Sequence, residues 1–167
     1  LLVPSTGLIK AYRSALIQWL FCMLYALRHD PALGDLGGVA HILWIDHLIG
    51  RRYIALDAIL ELSRGLFHTH KPFMEGAPYC LDFDIVQTVR TALEQTGAEP
   101  GADHDRARDM MRDIERFFAA GPGELYSLHK IPGALAAYHE CALIAREDIS
   151  AVVGTPALDV IKRAYWL

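Results

Sequence analysis

The stretch "DRARDMMRDIERFF" sets Ala107, Met110, Met111, Ile114, Phe117 and Phe118 at steps of three and four. Asp105, Arg106, Arg108, Asp109, Arg112, Asp113, Glu115 and Arg116 fill the positions between. That is the period of an α-helix with one apolar face; a strand, whose side chains alternate every second residue, would scatter those groups over both faces. Every long segment of the chain repeats this period, and no run sustains alternation of period two. The expected fold is therefore all-α, a single compact domain over residues 1–167 with six or seven helices. The charges on this helix read as a solvated face, with opposite signs at three- and four-residue spacing adding slight support.

Punctuation residues set the expected boundaries. The first helix should be capped by Ser5 or Thr6 and stop near His29, because the Asp30-Pro31 pair disfavours continuation. A second should run from near Asp35 to Gly65, loosened midway at Gly50 and ended by a glycine stop. Its first half is apolar nearly all round, so Ala40 to Ile49 is expected to be the most buried helical segment. Asp82 or Asp84 should cap a third helix that turns Ile85, Val86, Val89, Ala92 and Leu93 to one side and ends at Gly97. Beyond the helix quoted above, a short turn with Tyr126 and His129 leads through Pro132-Gly133 into "ALAAYHECALIARED". Thr155 and Pro156 open a last helix.

The chain of 167 residues is 53% apolar with a formal net charge of −4. Lys and Arg form no stripe, which argues against a nucleic-acid partner. Cys22, Cys80 and Cys141 are odd in number and far apart, so no disulfide framework is expected and a reducing, cytoplasmic setting fits. The run "SALIQWLFCMLYAL" between Arg13 and Arg28 is 14 residues long. A spanning helix needs roughly 20, so no membrane span is expected and the run reads as a buried core helix. The mean hydropathy of +0.20 is high. With the opening "LLVPST" and the ending "IKRAYWL", it suggests a piece of a longer chain, whose remainder or a protein partner covers apolar surface.

Candidate chemistry lies in three places. The connection from Gly65 to about Asp82 holds "LFHTHKPFMEGAPYC", and its apolar residues and two prolines suggest an ordered wall beside a pocket. On an extended segment His68 and His70 would point the same way and could share a metal, completed by Glu75, Cys80 or another histidine. The segment "AHILWIDHLIG" carries His41, Trp44, Asp46 and His47. A buried Asp46 demands a partner, with Arg13, Arg51, Arg52 or a histidine as candidates. A carboxylate there could alternatively orient a metal- or haem-bound imidazole, with Trp44 beside the rings filling the core or walling a flat ligand. In "AYHECALIARE", His139, Glu140 and Cys141 are consecutive, point about 100° apart on a helix and cannot converge on one atom. Cys141 reads as a core thiol, and partial burial would raise the proton affinity of Glu140.

No GxGxxG, P-loop, GxSxG, HExxH, CxxCH or ExxH pattern occurs. The leading functional reading is thus a helical domain that packs against another part of its chain or a protein partner, with a small-molecule ligand also conceivable. The alternative is an oxygenase-like redox enzyme, or part of one, with a haem or mononuclear metal between the central helix and the 65–82 connection. His47 and His139 are then the candidate cofactor ligands, flanked by Trp44 and Asp46, with His68 and His70 opposite.

Overall fold

The computed structural model describes residues 2–10, 12, 14–26, 31–71, 81–120 and 130–149. Among these the chain is all-helical: α1 (Ala15–Leu24), α2 (Pro31–Leu48), α3 (Leu56–Thr69), α4 (Leu81–Thr96), α5 (Ala102–Ala120) and α6 (Lys130–Ala145). The extended pairing found among them is an isolated bridge between Leu2 and Ile9. The expected last helix, the turn at Tyr126 and His129, and the 72–80 part of the long connection lie outside the described residues.

Contacts at helix ends give the directions. Tyr53 N–H, just before α3, donates to Gln95 Oε1 near the end of α4, while His70, just after α3, meets Asp82 at its start. These two helices are antiparallel. Gly37 lies against Asp84 and His47 against Glu94, so α2 runs parallel to α4. Arg108 pairs with Glu147 and Tyr138 with Glu115, which makes α5 antiparallel to α6. Arg90 to Glu140 and Glu99 to Arg146 align α6 with α4. Helices α2 to α6 therefore alternate up and down.

Helix α4 is the centre, packed by α2, α3 and α6, while α5 covers α6 and touches α3. Leu81, Ile85, Val86, Val89, Ala92 and Leu93 are all buried, so the expected face is present, and burial continues round the helix through Asp84, Gln87, Thr88 and Thr91. From α5, Ala107, Met110, Met111 and Ile114 enter the same core. Ala40 to Ile49 is not the most buried segment. Leu43 is fully buried, but Ile45 is 49% and Ile49 64% exposed. An apolar circumference leaves the choice of buried side to the neighbours, and α2 has α4 on one side only.

The long second helix breaks in two. Gly50 takes φ +69° and its N–H donates to His47 C=O, while Arg51 N–H reaches Asp46 C=O at 2.7 Å. That pair of bonds is a Schellman stop, so the glycine ends α2. Gly65, read as a stop, lies inside α3, where Arg106 does the terminating. Its Nε donates to Phe67 C=O at 2.9 Å and its Nη2 to His70 C=O at 2.7 Å, with the guanidinium over the Phe67 ring. Arg106, assigned to the solvated face of α5, is thus a cap supplied from another helix. Gly97 ends α4 as expected, with φ +69° and a bond to Leu93 C=O.

Helix α1 departs furthest from expectation. Its cap is Ser14, whose hydroxyl accepts from Ile17 N–H, and it stops at Leu24. Ser5 and Thr6 instead lie in a turn that brings Gly7 onto α3. The helix is not in the core: Gln18 is its buried residue, held by a bond from Nε2 to Asp35 Oδ2. Its ten residues rise about 15 Å, half of a bilayer core. No helix among the described residues is long and apolar enough to cross a membrane.

Two glycines give opposite expectations. At Gly7, with φ +71°, an added Cβ would sit 2.7 Å from Ile59 Cβ and 2.8 Å from its backbone nitrogen. Gly7→Ala should cost about 2 kcal/mol or more in urea unfolding. At Gly65 nothing lies within 4 Å of an added Cβ, and Gly65→Ala should stabilise by about 0.5–1 kcal/mol in the same measurement.

Candidate functional site

Asp46 is 5% exposed, and its partner is Arg51, whose Nε donates to Oδ1 at 2.7 Å. The expected pairing with a basic side chain is present. It is a local clasp, since the same arginine's N–H closes the end of α2. The carboxylate faces that guanidinium, not an imidazole. Trp44 is half-buried.

His47 and His139 fall on one chain of charges across three helices. His47 Nε2 lies 3.7 Å from Glu94 Oε2, and Glu94 accepts from Arg90 Nη1 at 2.6 Å. Arg90 Nε donates to Glu140 Oε2 at 2.5 Å, and the other Glu140 oxygen is 3.6 Å from His139 Nδ1. The chain threads α2, α4 and α6. Beside it opens a groove of about 610 Å³, lined by His47, Arg90, Glu94, Leu93, Leu143 and Arg146 among others. Sequence reasoning singled out both histidines but missed Arg90 and Glu94, which join them. The available signal was their opposite charge at i,i+4 spacing on one helix.

The protonation of Glu140 is the reverse of the expectation. Burial alone would raise its pKa, but a hydrogen bond with His139 and the charge of Arg90 outweigh it and hold the carboxyl below the ordinary value. For Arg90, burial opposes the charge while Glu140 and Glu94 favour it, and the net shift is upward. Both groups are ionised at neutral pH. Cys141 is fully buried, and burial pushes its thiol up, so it stays protonated as a core residue should.

His68 and His70 do not lie on an extended segment. His68 is in the last turn of α3, and its Nε2 is 2.9 Å from Asp103 Oδ1, while Arg64 Nε donates to Asp103 Oδ2 at 2.6 Å. His70 follows the helix, and its Nε2 meets Asp82 Oδ1 at 2.5 Å. The two rings therefore serve different carboxylates on different helices. Among the described residues no group of three or more His, Cys, Asp or Glu side chains is placed to hold a metal. Glu75 and Cys80 lie outside the described residues.

Asp84 was read as a cap and is a buried anomaly instead. It is 5% exposed, Oδ1 has no hydrogen-bond partner, and the absence of a side chain on Gly37 lets α2 close to its other oxygen. Burial, helped by the Asp82 charge, pushes its pKa up to about 7.

No protein-family model matches this chain, and neither a curated protein nor a solved structure shows significant similarity to it.

The two carboxyls predict opposite pH responses. Asp84, with a raised folded pKa, favours the fold at acid pH and loses that contribution as pH rises from about 4 through 7. Glu140, with a lowered one, supports the fold above its ordinary value and loses that support as pH falls below it. Asp84→Asn should stabilise relative to the parent at pH 8 by on the order of a few kcal/mol, with the difference shrinking toward pH 5 in urea titrations. Arg90→Met leaves Glu140 buried without its cation and should cost about 3–5 kcal/mol, read by thermal and chemical unfolding at neutral pH.

Proposed function

We propose that this chain is a helical docking domain, working through an apolar face presented to a protein partner. One observation carries the reading: α1 is apolar and outside the core. Leu16, Trp19, Leu20, Met23, Leu24 and Tyr25 are exposed, Leu24 to 74%. No charged residue occurs from Ser14 to Tyr25. A contiguous apolar surface larger than a few hundred Å² is uncommon on a monomer and marks an interaction site.

The ionisable clusters favour the same reading over redox chemistry. Asp46, Glu140, Asp103 and Arg90 are each engaged by opposite charges on the protein itself. The Arg90–Glu140 and Arg64–Asp103 pairs lock helices together, while the Asp46–Arg51 pair closes the end of α2. The groove beside His47 lies at helix ends and is bordered by the paired Arg90 and Glu94.

A photo-activatable residue at position 20, illuminated in the full protein within its own cells, tests the reading. It is expected to form covalent adducts with protein, whereas the same residue at position 109, exposed on the charged face of α5, is not. Adducts with lipid alone, or none, would remove it.

A further inference from the structure

We infer that the partner is a second copy of this chain, joined by reciprocal exchange: α1 of each copy lies along the outer face of the other copy's α2. The inference rests on the docking reading above and names the occupant. Two separate faces of one chain supply both halves of the contact.

The first half is α1. Gln18 and Cys22 turn toward the body, and Tyr12, Phe21 and Tyr25 stack along one flank with centroids 4.9 and 5.9 Å apart. Leu16, Leu20 and Met23 follow one another outward at steps of four and three, with Trp19 and Leu24 beside them. The second half is the outer face of α2. Gly38, Ile42, Ile45 and Ile49 recur at steps of four, three and four, all exposed, with Leu48 adjoining. A Cβ on Gly38 would meet nothing within 4 Å. In its own chain α1 leaves this face uncovered.

The two halves match in length, spacing and charge. α1 rises about 15 Å, and Gly38 to Ile49 spans about 16 Å. Steps of three and four on both sides suit side chains of one helix seated between those of the other. The outward residues of α1 and the α2 positions 38, 42, 45, 48 and 49 include no Lys, Arg, Asp or Glu. Asp35 and Asp46 border the α2 face but are buried and held by Gln18 and Arg51, and His41 lies beside it. A lipid surface fits less well, because a helix lying in it has a polar, often basic, face turned to water opposite the apolar one, whereas the side of α1 opposite its leucines has no basic residue and turns Gln18 against the body.

Area and symmetry agree. Even if each residue on the two faces carried the area of an aromatic side chain, on the order of 150–250 Å², the exposed fractions come to at most roughly 1,000 Å² per chain, so most of both faces must be covered to reach the roughly 800 Å² per partner of a standard interface. Exchange about a two-fold axis uses each face once in each copy and closes the assembly.

Sedimentation of the full chain across the micromolar range is the test. The parent is expected to be a dimer. Leu20→Glu alone and Ile45→Lys alone should each weaken it at least about 100-fold with unchanged helical circular dichroism, since both positions are exposed. An equimolar mixture of the two variants should dimerise again, because one contact is then wholly native and the other sets Glu against Lys. A parent that stays monomeric, or a mixture that stays monomeric, overturns the exchange. Flotation of a monomeric parent with anionic vesicles would assign the face to lipid instead. A monomeric parent that still forms adducts with other proteins from position 20 overturns self-pairing and leaves the docking reading intact; a monomer without protein adducts removes both.

Discussion

The packing of α2, α3 and α6 centres on the burial of α4, and that burial has to accommodate more than an apolar stripe. Helix α4 carries Asp84, Gln87, Thr88, Arg90 and Thr91 among its aliphatic residues. A polar group taken out of water costs several kcal/mol unless it finds a partner. Thr88 finds one locally, donating to Asp84 C=O at 2.7 Å. Arg90 finds two, one on its own helix and one on α6. The ion pair joins two helices, and it is compatible with the rotation of α4 at which Val86, Val89 and Leu93 lie in the core while the guanidinium reaches Glu140.

The same economy explains the end of α3. The last carbonyls of a helix have no partners within it, and α3 ends where the core is dense, beside the buried Phe67. Arg106 satisfies two of those carbonyls from α5. Asp103, one turn earlier on α5, takes Arg64 and His68 from α3. Two charged residues three apart thus fasten α5 across the end of α3. Seen along the α5 sequence they are indistinguishable from their solvated neighbours.

That difference marks how far the sequence could be read. Helical period and apolar faces are local properties, so the all-α class, the α5 face and the α4 face with its end at Gly97 were all legible. The stop at Gly50 was harder, because apolar residues continue on both sides of it and the deciding bonds come from backbone N–H groups. Partners distant in sequence were out of reach. Glu140 has apolar neighbours along the chain, which suggested a raised pKa, but the hydrogen bond of the adjacent His139 and the charge of Arg90, 50 residues away, together reverse the sign. His68 and His70 looked paired through their spacing, yet α3 continues to Thr69 and their carboxylates come from α5 and α4. Asp46 succeeded because its arginine was five residues away.

The reading of α1 failed for a more instructive reason. Ten residues without a charge look like core, since such a surface in water is unfavourable by roughly 25 cal/mol per Å². The structure places them outside, joined to α2 through Gln18 and Asp35, two polar side chains buried against each other. A helix whose main purpose was to complete the core of this domain would bury leucines there and expose the glutamine. Here the polar residue points inward and the leucines outward. The proposed docking reading accounts for this inside-out arrangement by giving the apolar side a surface of its own to meet, and the exposed isoleucines of α2 supply that surface in the proposed exchange.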